Sequence, residues 1–441
     1  MTEENFFTKL PYLIFISLIT LTIWFFGQEE LGGFLIQDLG LYLFSTIVFI
    51  LLLSIKNTIH IVPFLLNMLF MISQTNWDID LIPNSMYYVI ALLILGIILH
   101  IVIYKTKFLR GKFFLGISFL GVAVIISMIV NNQAFSMLSL LLFLYIIFLI
   151  LLYGFFANTV EGEFLVYLIR IFVVLGVLIS LEVAIFYMRE DDVIHALEAK
   201  TLNLGWGISN FIATYLIMFI SSTVYFIKKY KLHIFWIVLA LFEFVMLLFT
   251  LSRAGIIAFL ITSLFLLLFM FIKYEHKWNL LLNITIGVLI VSIMAYFTKA
   301  YFYAIWERLE LYRLEDNGRI EIWKEAIATF KTHLVFGGGV LARQADGLRM
   351  FHNTILHILA CFGILGGIAL VIQFISLLRI FFVSFTQEKA ILLIALIGAN
   401  IHGMVDNIYL MPQYMTIMFI IIAFVESANK IDILRKELRI S

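Results

Sequence analysis

Three pairs of polar residues interrupt long apolar runs: Ser209–Asn210, Ser252–Arg253 and His352–Asn353. Each stands where a helix is expected to begin. A helix start presents unpaired N–H groups and a partial positive charge, so it suits an anion. One such end contributes only ~0.3–1 kcal/mol, and about 2 when partly buried. Three ends alone would not hold a multiply charged diphosphate, so arginines must add paired hydrogen bonds, with Arg253 and Arg319 as the candidates. The plainer readings are a snorkelling anchor for Arg253 and a solvated surface charge for Arg319. His352 is the candidate base, because imidazole is the side chain best suited to accept a proton near neutral pH. His402 and Asp406, four residues apart, would share a helix face and could orient one another or a sugar, or form an ordinary helix-end pair. Asn353 and His357 share a face by the same spacing, which adds His357, Asn353 and Asn210 as substrate-binding candidates.

The elements that must position these residues are hydrophobic throughout. Of 441 residues, 63% are hydrophobic and 13% charged, about half the ~25% charged share of a soluble domain, so a water-soluble globule is excluded. Apolar runs of helical length begin near Pro11, Leu39, Ile59, Met86, Phe113, Ala134, Phe164, Ser209, Leu232, Ala254, Asn279, Asn353, Lys389 and Gln413. The expected fold is a single all-α polytopic membrane domain over 1–441 with about 14 transmembrane helices, the third being short. The N-terminal segment MTEENFFTK leads into the first run with no small-residue cleavage pattern, and an uncleaved first helix is expected. Basic residues such as Lys56, Lys105, Lys112, Lys273, Lys277 and Arg379 fall in one set of short loops, whereas the opposite set carries Arg189 and Lys200, with Arg253 at a helix mouth. The basic set is therefore read as cytoplasmic, with both termini on that side.

That orientation puts the longest connection, 299–351, outside the cytoplasm. Within it Ile320, Trp323, Ile327, Phe330 and Leu334 recur at intervals of three and four, which predicts an amphipathic helix over Arg319–Leu334, capped by Asp316 or Asn317. Gly337, Gly338 and Gly339 would turn the chain sharply after it, making the loop an ordered lid. Arg170, Glu182 and Glu243 lie in apolar runs and need a partner or an aqueous cavity, with snorkelling the simpler account of Arg170. Asp78 and Asp80, and Glu190 to Asp192, read as solvated turns. Net charge +1 with no basic domain argues against nucleic acid as a partner. The single cysteine, Cys361, allows no internal disulfide, and no P-loop, zinc-protease or serine-hydrolase motif is present. No metal site or cofactor is expected.

The string NGRIEIWKEAIATF at 317–330, the FGGGV turn and HNTILHILACFGILGG from His352 resemble the O-antigen ligase and O-antigen polymerase superfamily. LSRAG at 251–255 and GISNFIATYL at 207–216 also look like that family's patterns, so the resemblance spans 205–407. Cys361 departs from a commonly acidic position, His357 from a common glutamine, and Leu334 and Val335 replace a frequent proline. The resemblance implies a GT-C-like membrane glycosyltransferase acting on an undecaprenyl-diphosphate-linked oligosaccharide at the outer face of the bacterial cytoplasmic membrane. His352 would be its base, Arg253 and Arg319 would bind the diphosphate, and inversion would proceed without metal. A polymerase of surface polysaccharide such as capsule, with a chain-length regulator as a conceivable partner, is favoured over a ligase onto lipid A core or another glycan acceptor. A flippase or transporter of lipid-linked sugars is the third reading, disfavoured because the candidates gather at one face.

Overall fold

In the computed structural model, residues 10–28, 33–73, 84–106, 111–133, 137–160, 164–229, 233–273, 277–297, 299–309, 318–342 and 350–440 are described. Among them every regular element is a helix, as expected of a chain whose backbone polar groups must pair without water. The first half comprises α1 (Leu10–Gly27), α2 (Gly33–Ser54), α3 (Val62–Met68), α4 (Asn84–Tyr104), α5 (Phe114–Val130), α6 (Met137–Thr159), α7 (Phe164–Met188) and α8 (Val193–Ala199). It continues with α9 (Ser209–Lys229), α10 (His233–Phe249), α11 (Arg253–Lys273), α12 (Lys277–Phe297), α13 (Lys299–Leu309), α14 (Arg319–Thr332), α15 (Thr354–Phe381), α16 (Gln387–Gly403) and α17 (Pro412–Ile440).

All fourteen apolar runs named from the sequence are helical, but they are not equivalent. Among the described residues eight helices are long and apolar enough to cross a membrane, and four more are shorter apolar helices. The third run is a four-residue 3-10 turn (Thr58–Ile61) followed by the seven-residue α3. At 1.5 Å per residue that element cannot span ~30 Å of hydrocarbon. It ends instead on Phe70, packed edge-on against Trp206 and Tyr215.

Two helices form the centre. In α9 and α17, 83% of the apolar window is buried inside the bundle, against 39% in α1, α2, α11 and α15, which must face lipid over most of their surface. Helix α9 packs on α7, α10, α11 and α16, while α17 packs on α6 and α15. At the lysine-rich end Lys389 is fully buried and donates to Val383 O, Ser384 O and Asn429 Oδ1, which satisfies its three N–H groups.

Helix α15 is interrupted at Gly363, whose φ of 64° and ψ of −155° break the helical hydrogen-bond ladder. The preceding segment repairs the break. Gly338 N–H donates to Ala360 O (2.8 Å), Gly339 N–H to Cys361 O (3.0 Å) and Ile364 N–H to Leu334 O (2.9 Å). The end of α5 adds Ser127 Oγ on Cys361 O (2.7 Å) and Asn131 Nδ2 on Gly337 O (2.9 Å). Irregular backbone at this depth is tolerated because each freed group finds a protein partner. The glycine turn foreseen from the sequence is thus present, with φ of 72° at Gly337 and 89° at Gly339, but its task is to complete α15.

Among the described residues of the loop 299–351 are two helices, α13 and α14. Helix α14 occupies the expected amphipathic stretch. Ala326 is buried and Ile322 packs on the core, with Trp323 and Phe330 partly buried, whereas Ile320, Ile327 and Leu334 point outward. Its N-cap is Gly318, at φ 75° and without a side-chain cap. Asp316 and Asn317, expected to cap it, lie outside the described residues, as do Asp78 and Asp80.

Glu182 and Glu243 are fully buried, each with one partner. Trp206 Nε1 donates to Glu182 Oε2 (2.8 Å) and Thr223 Oγ1 to Glu243 Oε1 (3.0 Å). Each glutamate thus has the protein partner its burial calls for on one of its two carboxylate oxygens.

Candidate functional site

Four helix ends meet opposite the lysine-rich end, and a carboxylate lies between them. Helix α16 stops at Gly403, and the chain bends so that Asp406 points back among the starts of α9, α14 and α15. Asp406 Oδ1 accepts from His352 Nδ1 (2.9 Å) and from the backbone N–H of Asn407 (2.9 Å). Asp406 Oδ2 accepts from Asn210 Nδ2 (2.6 Å) and faces Arg319 Nη2 at 3.6 Å. The side chain of Asp406 is 5% exposed and that of His352 35%, so the carboxylate is internal while the imidazole reaches the surface.

Burial alone would raise the Asp406 pKa. The His352 hydrogen bond and the charges of His352, His402 and Arg319 outweigh it and hold the carboxyl at about 2. An ionised carboxylate only accepts hydrogen bonds, so the His352 proton shared with it sits on Nδ1 and Nε2 carries the lone pair. This is the arrangement of an oriented general base.

His352 holds an unusual backbone conformation for a non-glycine residue, at φ 47°. Two neighbours stabilise it. Trp323 Nε1 of α14 donates to His352 O (3.1 Å), and Phe351 beside it is buried. Trp323 lies one turn after Arg319, so α14 delivers both side chains from one face. Asn353 serves the scaffold: its Oδ1 caps α15 through Leu356 N–H (2.9 Å) and its Nδ2 donates to Met404 O (2.7 Å).

Asp406 lies just beyond the end of α16, one turn after His402, and its N–H donates to His402 O (3.0 Å). His402 is buried between Thr214 Oγ1 (2.6 Å to Nδ1) and Ser252 Oγ (3.4 Å to Nε2). Arg253 opens α11 immediately after Ser252, as expected. His357 lies one turn into α15, its Nε2 3.8 Å from Cys361 Sγ and its ring centroid 5.9 Å from that of Phe351.

The structure also recruits a residue the sequence reading had left among the loop charges. Lys200 Nζ donates to Asn210 Oδ1 (3.1 Å), which joins it to Asp406 through the amide. The loop that carries Lys200 is clamped on several sides. Trp24 Nε1 donates to Leu204 O (2.9 Å), Gln413 Nε2 to Trp206 O (3.1 Å), and Gly205 at φ 83° lies so close to Ser73 that a Cβ would meet its carbonyl carbon at 2.1 Å. Helix α13 packs on α8, just before Lys200.

Fold and site together define a polytopic α-helical membrane protein with a histidine–carboxylate pair at one end of the bundle. Residues 235–371 match the family model described as O-Antigen ligase, which covers a little under a third of the chain. The match contains Arg253, Arg319 and His352 and leaves Lys200, Asn210, His402 and Asp406 outside it. It supports the resemblance to the O-antigen ligase and polymerase superfamily and, with it, an enzyme that transfers glycan. No curated protein matches the chain.

Proposed function

We propose that the protein is a polysaccharide polymerase that joins undecaprenyl-diphosphate-linked oligosaccharide units at the outer face of the cytoplasmic membrane. The observation that carries this reading is the His352–Asp406 pair with Arg319 3.6 Å away, an oriented base beside a cation. The acceptor hydroxyl gives its proton to His352 Nε2 as its oxygen bonds to the anomeric carbon of the donor. The bond from that carbon to the diphosphate oxygen breaks, and the lipid diphosphate leaves with the electron pair. Asp406 stabilises the imidazolium that forms. Arg319, Arg253 and the neighbouring helix starts stabilise the departing charge. One displacement inverts the anomeric centre. The leaving group is already activated, so no nucleotide is needed. The distribution of lysine and arginine among the short loops supports the outward placement of this end.

The ligase description of the matched model favours a second reading, transfer of the glycan to lipid A core or another acceptor without a lipid diphosphate. Purified protein in nanodiscs, given a lipid-diphosphate-linked oligosaccharide, separates the two. A ladder of lengthened lipid-linked glycans, lost in His352→Ala, is expected. Product formed only when a second acceptor is added would replace the polymerase reading by the ligase. A fully active His352→Ala would remove His352 as the base, and no transfer with any lipid-diphosphate donor would sink both readings.

A further inference from the structure

Lys200 belongs to no motif and lies outside the matched region, yet its geometry is specific. It occupies the C-cap of α8 in the left-handed conformation, φ 56° and ψ 50°, with its N–H on Ala196 O and Leu197 O. Glycine or asparagine is the inexpensive residue at such a position, and a side chain with a Cβ is held there at a conformational cost. The turn aims the ammonium back at the start of α9, where Nζ donates to Asn210 Oδ1 at 3.1 Å.

We infer that Lys200 is a positioning residue that fixes the Asn210 amide and, through it, the Asp406–His352 pair. The inference rests on the transfer reading given above. A lysine ammonium can only donate and an ionised carboxylate can only accept. Asn210 lies between the two, so its oxygen must face Lys200 and its nitrogen Asp406, the arrangement found at 3.1 and 2.6 Å. Without Lys200 the amide has a competing use. An asparagine at a helix start turns readily towards the unpaired N–H groups of its own first turn. Were it to do so, Asp406 Oδ2 would lose its shortest donor, and the carboxylate would no longer be pinned from the side opposite His352. The linked bonds polarise one another, so the ammonium charge also strengthens the Asn210 donor.

The test compares Lys200→Gly, Lys200→Met and Lys200→Arg in nanodiscs. Lys200→Gly removes the side chain but relieves the left-handed backbone, so it should melt no lower than wild type while kcat falls about tenfold, the loss that removing one charge-assisted hydrogen bond produces. Lys200→Met should show the same loss, with the donor KM within about twofold. Lys200→Arg, which keeps a donor, should recover most of kcat. A raised donor KM with kcat intact would overturn the inference by making Lys200 a phosphate ligand, and wild-type kinetics in Lys200→Gly would overturn it outright.

A second measurement needs no substrate: the rate at which diethyl pyrocarbonate modifies His352, read by peptide mass spectrometry. It should change about threefold in Lys200→Gly and hold in Lys200→Arg as the carboxylate's grip on Nδ1 loosens or stays. An unchanged rate defeats the inference. A wild type that transfers no glycan would instead defeat the proposed function, and the modification rate would still decide the role of Lys200.

Discussion

Replacing Asp406 by asparagine changes one atom and leaves no satisfactory arrangement of donors. The aspartate accepts from His352 Nδ1 and Asn407 N–H on one oxygen and from Asn210 Nδ2 on the other, with Arg319 alongside. If the new amide nitrogen takes the place of Oδ2, it meets Asn210 Nδ2 and the Arg319 guanidinium, donor against donor. If it takes the place of Oδ1, it meets the Asn407 N–H and forces the His352 proton from Nδ1 to Nε2, which removes the lone pair from the reacting side. A charge-assisted hydrogen bond contributes ~1.5–3 kcal/mol, and ~1.4 kcal/mol is one decade in rate. The lost bond and the lost imidazolium partner together set the expected fall in kcat at about a hundredfold, with the donor KM within about twofold because the buried carboxylate is taken up by protein donors. The assay is the glycan ladder followed over time in nanodiscs, with gel-filtration elution as the control for folding. A kcat for Asp406→Asn within about threefold of wild type would refute both the tautomer argument and the role of His352 as an oriented base.

The pH dependence has a definite sign. Asp406 is held at about 2, so any loss of transfer on acidification between about pH 7 and 4 does not come from Asp406 and should persist in Asp406→Asn. Because the folded pKa of Asp406 is depressed, its contribution to stability is present above the ordinary carboxyl value near ~3.9 and is lost as pH falls towards about 2, so thermal melts of the wild type should drop through that window by more than those of Asp406→Asn. Gly337→Ala should lower the melting temperature and cost about 2–4 kcal/mol, because the new Cβ would lie 2.2 Å from the Cys361 carbonyl carbon on top of a φ of 72°. Gly318→Ala, with φ 75° and open space around it, should cost only ~1–2 kcal/mol, and equal melting of the two variants would contradict the close packing described for α15.

Much of the site was legible because its residues mark helix starts, and helix starts announce themselves where polar residues interrupt apolar runs. Asn210 and His352 were found that way, Arg319 as the cation that opens an amphipathic helix, and Asp406 by its spacing from His402. The partners of Asp406 were not legible, because nothing local in NIHGMVD requires α16 to stop at Gly403 and turn the carboxylate towards α9, α14 and α15. Lys200 was missed because its role arises from a left-handed turn at the end of a seven-residue helix, a conformation that lysine does not advertise. The apolar rhythm of α14 was read correctly as helical, but which of its apolar residues face the protein was not legible. In a membrane protein Ile320 and Ile327 are as acceptable facing outward as inward, so hydrophobicity stops discriminating between core and surface. The break at Gly363 was hidden for a related reason: a glycine among Phe, Ile and Leu looks like any packing glycine until the hydrogen-bond partners of the broken turn, 22 or more residues upstream, are in place.

Those partners make the segment from Leu334 to Gly339 an anchorage. It supplies donors to Ala360 and Cys361 and accepts from Ile364, so withdrawing it would strip hydrogen bonds from the interior of a spanning helix. Helix α14 ends at Thr332, immediately before this fixed point, and carries Arg319 at its far end. It is therefore held at its C-terminus by this anchorage and along its length by Ile322 and Ala326, and the Trp323 bond to His352 lies one turn from Arg319 on the same helix. The cation and the backbone of the histidine thus share one mount, and that mount is bolted to the interior of α15.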